Sequence, residues 1–288
     1  MNAKQRSLLE IHLAVFLFGL SGLFGKILAL PAMIIVLGRA FFASAFLFIL
    51  LLYLKKTIKL EQQKDYAFML LIGMLLAIHW STFFLSIQMS TVAIGLLTFS
   101  TFPLFVTFIE PCFFKEKILV SDIVTVIITF LGVILVIPEF EVGNHLTQGV
   151  LWGITSGFTY ALLSILNRKY VKKYSSTVVA FYGQFNAAII LIPFLFLQKP
   201  VFQPNDILLL LILGFVFTGI SHSLFIKGLR NIKTQTAGVI SCLEPLYGII
   251  FAAFLLGEIP TLREIAGGSV ILGTVLYSTV KFSQYNRQ

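Results

Sequence analysis

The chain has 288 residues, of which 58% are hydrophobic and 11% charged, against about 25% charged in an ordinary soluble domain. So few polar side chains cannot cover a water-facing surface, which excludes a soluble globular protein. The net charge of +9 does not point to nucleic acid either, because the basic residues fall between apolar runs and form no basic, base-reading face.

A hydrocarbon core about 30 Å thick takes about 20 apolar residues per helix, so a chain of this length holds about ten spans with short connections. Breaks in the apolar pattern predict spans near 9–30, 32–54, 66–87, 91–114, 119–138, 147–167, 175–197, 206–227, 234–256 and 262–280. The first follows Lys4 and Arg6, as a signal peptide would, but it is too long and lacks a small-residue cleavage site, so it is expected to be retained. Pro31 divides the run from Ile11 to Leu54, because the residue before a proline disfavours helical geometry. Cys112 and Cys242 lie within apolar runs and read as small hydrophobes.

Basic residues alternate between connections as the positive-inside rule expects. With a cytoplasmic N-terminus, 17 of the 21 Lys and Arg residues fall inside, Lys199 and Arg263 fall outside, and Lys26 and Arg39 lie within spans. Both termini are therefore expected in the cytoplasm. Ten spans divide into two sets of five, and an odd number per set inverts the second relative to the first. Internal similarity agrees: Ala93 to Glu116 (AIGLLTFSTFPLFVTFIEPCFFKE) matches Gln235 to Glu258 (QTAGVISCLEPLYGIIFAAFLLGE), with Pro103 and Pro245 each 13 residues before Glu116 and Glu258. Paired interruptions of this kind often mark a transporter's central site.

The run TAGVISCLEPLYGIIFAAFLLGEIPTLREIAGGSVILGTVL, from Thr236 to Leu276, resembles the end of an EamA domain of the drug/metabolite transporter superfamily. It has a proline in the penultimate helix, a Gly-Glu closing that helix and a glycine-bearing last helix. The first half repeats the pattern with Pro103, Lys115-Glu116 in place of Gly-Glu, and Gly132, while Gly19, Lys26 and Arg39 also sit where such domains carry Gly, Lys and Arg. The resemblance implies an all-α polytopic protein of ten transmembrane helices, built as two inverted five-helix repeats over residues 8–138 and 147–280. It further implies a carrier of small metabolites, often exporting amino acids, with a cavity between the halves; no cofactor is expected, nor a metal, since the histidines have no Cys or carboxylate neighbours at metal-ligand spacing.

Several polar residues are candidates for that cavity. Glu244 falls near the middle of its span, where a charge is costly without a partner or water. Ser241, Glu244, Gly248 and Ala252 share one helical stripe beside Pro245, and Ser100, Pro103, Thr107 and Glu110 form another. His79 and Trp80 align with Ser221 and His222 when the two prolines are superposed. Tyr160, Gln184 and Asn186 complete the substrate-binding candidates, while Lys26, Arg39 and Glu110 are candidates for gating or charge, with Glu258 as a partner. Interhelical hydrogen bonding competes as an explanation for each His, Tyr, Gln and Asn, and snorkelling does so for Lys26 and Arg39. Gly149, Gly153 and Gly157 suit close helix contact.

The expected function is secondary transport in a bacterial inner membrane, with export of amino acids or related compounds ahead of import. A phosphate loop of the G-x-x-x-x-G-K-[ST] type is absent from the sequence, so the chain does not carry its own ATP motor. The competing classes are a membrane-embedded enzyme and a structural or sensory subunit. A small-molecule substrate and the lipid bilayer are the expected partners; the oligomeric state, a monomer included, is left open.

Overall fold

A computed structural model describes residues 3–114, 120–136, 143–232, 234–241 and 243–285, and every described element is helical. In chain order these are α1 (Ala3–Ser21), α2 (Phe24–Ile27), α3 (Ala32–Tyr53), α4 (Gln63–Met89), α5 (Val92–Phe99), α6 (Phe102–Phe114) and α7 (Val120–Val136). Then come α8 (His145–Tyr170), α9 (Ser176–Gln198), α10 (Asp206–Gly214), a π-helical turn (Phe215–Ile220), α11 (Ser221–Gly228), α12 (Thr234–Ser241), α13 (Leu243–Leu256) and α14 (Leu262–Tyr285). Among the described residues, eight segments are long and apolar enough to cross a membrane: Ala3–Ile27, Ala32–Tyr53, Gln63–Met89, Val92–Ile109, His145–Tyr170, Ser176–Gln198, Asp206–Gly228 and Thr236–Leu256. The expected spans 119–138 and 262–280 fall on α7 and α14, which pack on each other but are not among these eight; residues 119, 137 and 138 lie outside the described residues.

Lipid-facing side chains such as Phe41, Ile49, Phe196 and Phe254 are exposed, whereas polar residues such as Ser86, Ser156 and Thr218 are fully buried. This inverts the soluble pattern, as a bilayer solvent requires. Helix α4 is the hub, packed against α3, α5, α8 and α9, while α1 packs on α11 and α13. Caps satisfy the helix starts: the Thr91 and Asn144 side chains accept from the Ile94 and Leu146 amides at 3.1 and 2.9 Å. Thr261 and Glu264 form a reciprocal capping box, the Thr261 amide donating to the carboxylate at 2.6 Å and the Glu264 amide to the Thr261 hydroxyl at 3.2 Å.

The expected continuous span 91–114 is broken at Ser100 and Thr101, and α6 restarts at Phe102. Pro103 then sits in the first turn of a helix, where its missing amide proton would have had no intrahelical partner. Pro245 likewise falls in the first turn of α13, and residue 242 between α12 and α13 lies outside the described residues. The span 206–227 is likewise not uniform, since the π turn widens it in the middle.

The glycine face of α8 lies directly against α4 and α5. A Cβ on Gly153 would overlap the Thr98 hydroxyl and approach Ser86 Oγ to 2.9 Å, and one on Gly157 would reach Phe99 O at 3.0 Å. Gly143, by contrast, has nothing within 4 Å of such a Cβ. Gly153→Leu should therefore destabilise the protein by about 3 kcal/mol or more. Gly143→Leu should leave the melting temperature in detergent unchanged, and equal melting of the two variants would show that the α8 contact is not tight.

Candidate functional site

At the centre, α1, α3, α4, α5, α8, α11 and α13 converge on a small cavity of about 20 Å³. Phe18 and Ser21 come from α1, Arg39 from α3, His79, Trp80 and Phe83 from α4, Phe99 from α5, Tyr160 from α8, His222 from α11 and Glu244 from α13. Its charged residues are deeply buried: Arg39 is 1% exposed and Glu244 5%.

The charged pair defines its chemistry. The Arg39 guanidinium lies 3.9 Å from the centroid of the Trp80 ring and 5.4 Å from that of Phe84. Its Nε donates to Thr218 Oγ1 at 3.0 Å. Stacking on aromatic faces compensates part of the lost hydration of a cation. Glu244 is the acidic residue of the same cavity, yet it makes no ion pair or hydrogen bond with a described residue within the usual distances. One buried cation and one buried acid thus share a cavity without neutralising each other by direct contact.

Backbone proximity sets where Glu244 sits. A Cβ on Gly19 would meet Glu244 O at 2.7 Å and Tyr247 Cβ at 2.9 Å, so only glycine allows α1 to lie against α13 at this level. That contact brings Phe18 and Ser21 to the cavity beside Glu244. Across it, His79 Nδ1 lies 2.8 Å from Ser156 Oγ and 3.2 Å from Ser156 O, while the Ser156 hydroxyl donates to His79 O at 3.1 Å. The arrangement that satisfies both the serine carbonyl and the histidine carbonyl has the proton on Nδ1, leaving Nε2 an acceptor. Aromatic rings complete the wall: His79 and Tyr160 are 4.6 Å apart between centroids, Trp80 and His222 5.7 Å, and Phe99 and Tyr160 5.3 Å.

Among the sequence candidates, Arg39, His79, Trp80, Tyr160, His222 and Glu244 meet at this cavity. Others are set apart from it. The hydroxyls of Ser100, Thr107, Ser221 and Ser241 turn back on their own helices, donating to the carbonyls of Leu96, Pro103, Phe217 and Ala237. Pro103 packs against α12 at Gly238. Pro245 is buried beside Glu244 at the start of α13. Asn186 donates to Met69 O at 3.0 Å and so ties α9 to α4. The Gln184 amide is fully buried, with no partner among the described residues. The side chain of Glu110 lies outside the described residues. Phe18, Ser21, Phe83 and Phe99 line the cavity without having been candidates; nothing sets these phenylalanines apart from the other apolar residues in sequence.

Lys26 and Arg39, both expected within spans, occupy different environments. Lys26 donates to Ser90 O at 2.7 Å and lies 3.8 Å from Glu258. The other Glu258 oxygen accepts from the Val92 amide at 2.9 Å, and Thr91 Oγ1 donates to Glu264 at 2.7 Å. These bonds join α2, the α4–α5 junction, the segment after α13 and the start of α14 at one end of the bundle. A second set joins other helix ends: Glu10 accepts from Lys227 at 2.5 Å and from Arg6 at 3.2 Å, and Asp65 accepts from Lys173 at 2.6 Å. The bond to Asp65, with help from Tyr174 and Glu61, raises the Lys173 ammonium above the ordinary lysine range. Among the described residues, no group of three or more His, Cys, Asp or Glu side chains is placed to hold a metal ion.

Multiple apolar helices around a buried, charged and aromatic cavity are the architecture of a multi-pass membrane protein that carries small molecules. The chain belongs to the EamA-like transporter family, whose model matches residues 6–137 and 147–280, and it is accordingly a transporter and not an enzyme. An uncharacterized transporter of Bacillus subtilis, YxxF, is 26% identical over 289 residues, covering 98% of this chain and 92% of that protein. An S-adenosylmethionine uptake transporter of Rickettsia conorii is 24% identical over 241 residues, covering 83% of this chain and 80% of the relative. One crystal structure of another protein shares the fold, with a TM-score of 0.71 and 13% identity over 98% of this chain and 99% of that one.

The two polar contacts of Glu258 differ in kind, which a double-mutant cycle separates. The Lys26 pair is about a quarter exposed on both sides, so coupling between Lys26→Met and Glu258→Gln should stay below about 1 kcal/mol. Glu258→Ala should cost more than Lys26→Met, by about 1 kcal/mol, because it also uncaps the Val92 amide. Thermal melts of the single and double variants in detergent give both quantities, and coupling above 2 kcal/mol would mark the pair as the dominant contact.

Proposed function

We propose that this protein is an exporter of amino acids or related zwitterionic metabolites, working by alternating access. In this reading two five-helix repeats of inverted topology, residues 8–138 and 147–280, rock about the central cavity, with both termini in the cytoplasm of a bacterial cell and the chain in its inner membrane. The Lys26–Glu258 cluster then closes the outer end and the Glu10 and Asp65 clusters the inner end.

The observation that carries the substrate class is the presence of Arg39 and Glu244 in one cavity without an ion pair between them. A charge at mid-membrane costs about 2.5–3.5 kcal/mol on insertion scales, so two such residues call for a ligand that completes them. A planar carboxylate matches the guanidinium fork, an ammonium matches the carboxylate of Glu244, and the aromatic wall suits an apolar side chain. An α-amino acid carries all three features.

The name of the Rickettsia relative favours a second reading, uptake of a sulfonium metabolite. S-adenosylmethionine carries the same amino acid head group, and its cation and ring would find aromatic faces in this cavity. The two readings share the head-group chemistry and differ in direction and in what fills the apolar side.

Amino acids, their amides and the corresponding decarboxylated amines should be compared as ligands of the purified protein by thermal shift, and as substrates in vesicles of both orientations. Arg39→Gln should abolish the preference for the acid over its amide, and Glu244→Gln the preference for free over acylated amines, each with a loss of about tenfold to a hundredfold in affinity. Unaltered selectivity in both variants would rule out the head-group assignment, and net accumulation only in the inward direction would replace export by uptake.

A further inference from the structure

The π-helical turn that interrupts the segment between Asp206 and Gly228 has a specific consequence for Arg39. Thr218 lies in that turn and is fully buried. Its hydroxyl donates to the carbonyl of Leu213, five residues back, at 2.7 Å and accepts from Arg39 Nε at 3.0 Å. Both roles of the hydroxyl are thereby used, so its orientation is fixed. Gly214, at the end of α10, allows the close approach: a Cβ there would meet Phe42 Cβ at 2.5 Å and the Arg39 carbonyl at 3.0 Å. Backbone contact at Gly214 and the hydroxyl contact at Thr218 thus grip the same residue of α3 from one neighbouring segment. Turns of this widened type are frequent at functional sites.

A guanidinium offers five N–H donors. Thr218 occupies the one on Nε, and Trp80 lies against the planar face at 3.9 Å. The four donors on the two Nη atoms have no hydrogen-bond partner among the described residues, although Arg39 is 1% exposed and lines the cavity. What remains free is the end of the fork, whose two parallel N–H groups match the two oxygens of a carboxylate. Because Nε is occupied, a ligand cannot use the side-on edge of the guanidinium.

We propose that Thr218 is a positioning and specificity-determining residue: by holding Nε it presents the end of the Arg39 fork to the cavity and makes the site select a carboxylate over its neutral amide. This rests on the reading that Arg39 receives the substrate's carboxylate. Threonine is needed as an acceptor of the Arg39 N–H, so valine, of nearly the same shape, removes the function while serine keeps it.

The test separates the positioning of Arg39 from the identity of the ligand. The chain has two tryptophans, so Trp152→Phe, at a lipid-facing position of α8, leaves Trp80 as the sole reporter of the stacked guanidinium. In that background, Thr218→Val should move the Trp80 emission in the same direction as Arg39→Gln, and Thr218→Ser should leave it as in the parent. L-methionine and L-methioninamide, titrated against the same variants, should show the preference for the acid reduced about tenfold in Thr218→Val and retained in Thr218→Ser. Parent-like emission in Thr218→Val, when Arg39→Gln shifts it, would overturn the positioning role. A shifted emission with an undiminished preference for the acid would overturn the specificity role. If the parent protein does not distinguish acid from amide at all, the amino acid reading fails, and the emission series still decides whether Thr218 holds Arg39.

Discussion

Everything in this structure is arranged around the cost of placing Arg39 and Glu244 where no water surrounds the protein. A bilayer solvates neither charge, so each must be met from within the fold. Arg39 is met by an aromatic face and one hydroxyl, and Glu244 by a shared cavity. Several helices around the cavity are short or interrupted: α5 ends before Pro103, α13 begins just before Pro245, and a π turn precedes α11. A regular helix satisfies its backbone entirely within itself and has nothing to offer a ligand; irregular backbone at membrane depth is tolerated where protein or a cavity receives it.

The same constraint explains the division of labour among the other polar residues. Ser100, Thr107, Ser221 and Ser241 return their hydroxyls to carbonyls of their own helices, which removes a desolvated donor at little cost. Ser156 and Asn186 bond across helices and fix how α8 and α9 sit on α4. The ionised groups outside the cavity gather at helix ends, where Lys26 and Glu258 meet one junction and Glu10 and Lys227 another. Partly exposed ion pairs of this kind are individually weak.

Small residues make the central geometry possible. Gly19 lets α1 touch α13 at Glu244, Gly153 lets α8 touch α5, and Gly214 lets α10 touch α3 at Arg39. In lipid, where apolar burial gives no net drive to helix association, such close backbone packing is a main source of attraction between helices. The side chains that define the cavity therefore depend on glycines that never face it.

Composition and hydropathy alone determined that the chain is a multi-pass helical membrane protein, because a bilayer imposes a length and polarity code that single segments carry by themselves. Charge and aromatic polarity also brought out Arg39, His79, Trp80, Tyr160, His222 and Glu244, since an ionisable or amphipathic side chain within an apolar run is conspicuous on its own. Tertiary structure alone decided which of them meet. Helical spacing puts Ser241 and Glu244 on one stripe, yet the serine bonds to its own helix and the glutamate lines the cavity, a distinction set by what packs opposite. Phe18, Phe83 and Phe99 were invisible among 30 phenylalanines, because an aromatic ring facing a cavity and one facing lipid have the same local sequence. The separation of Lys26 from Arg39 followed the same rule: depth along a helix is written in the sequence, but direction around it is fixed only by the neighbours a side chain finds.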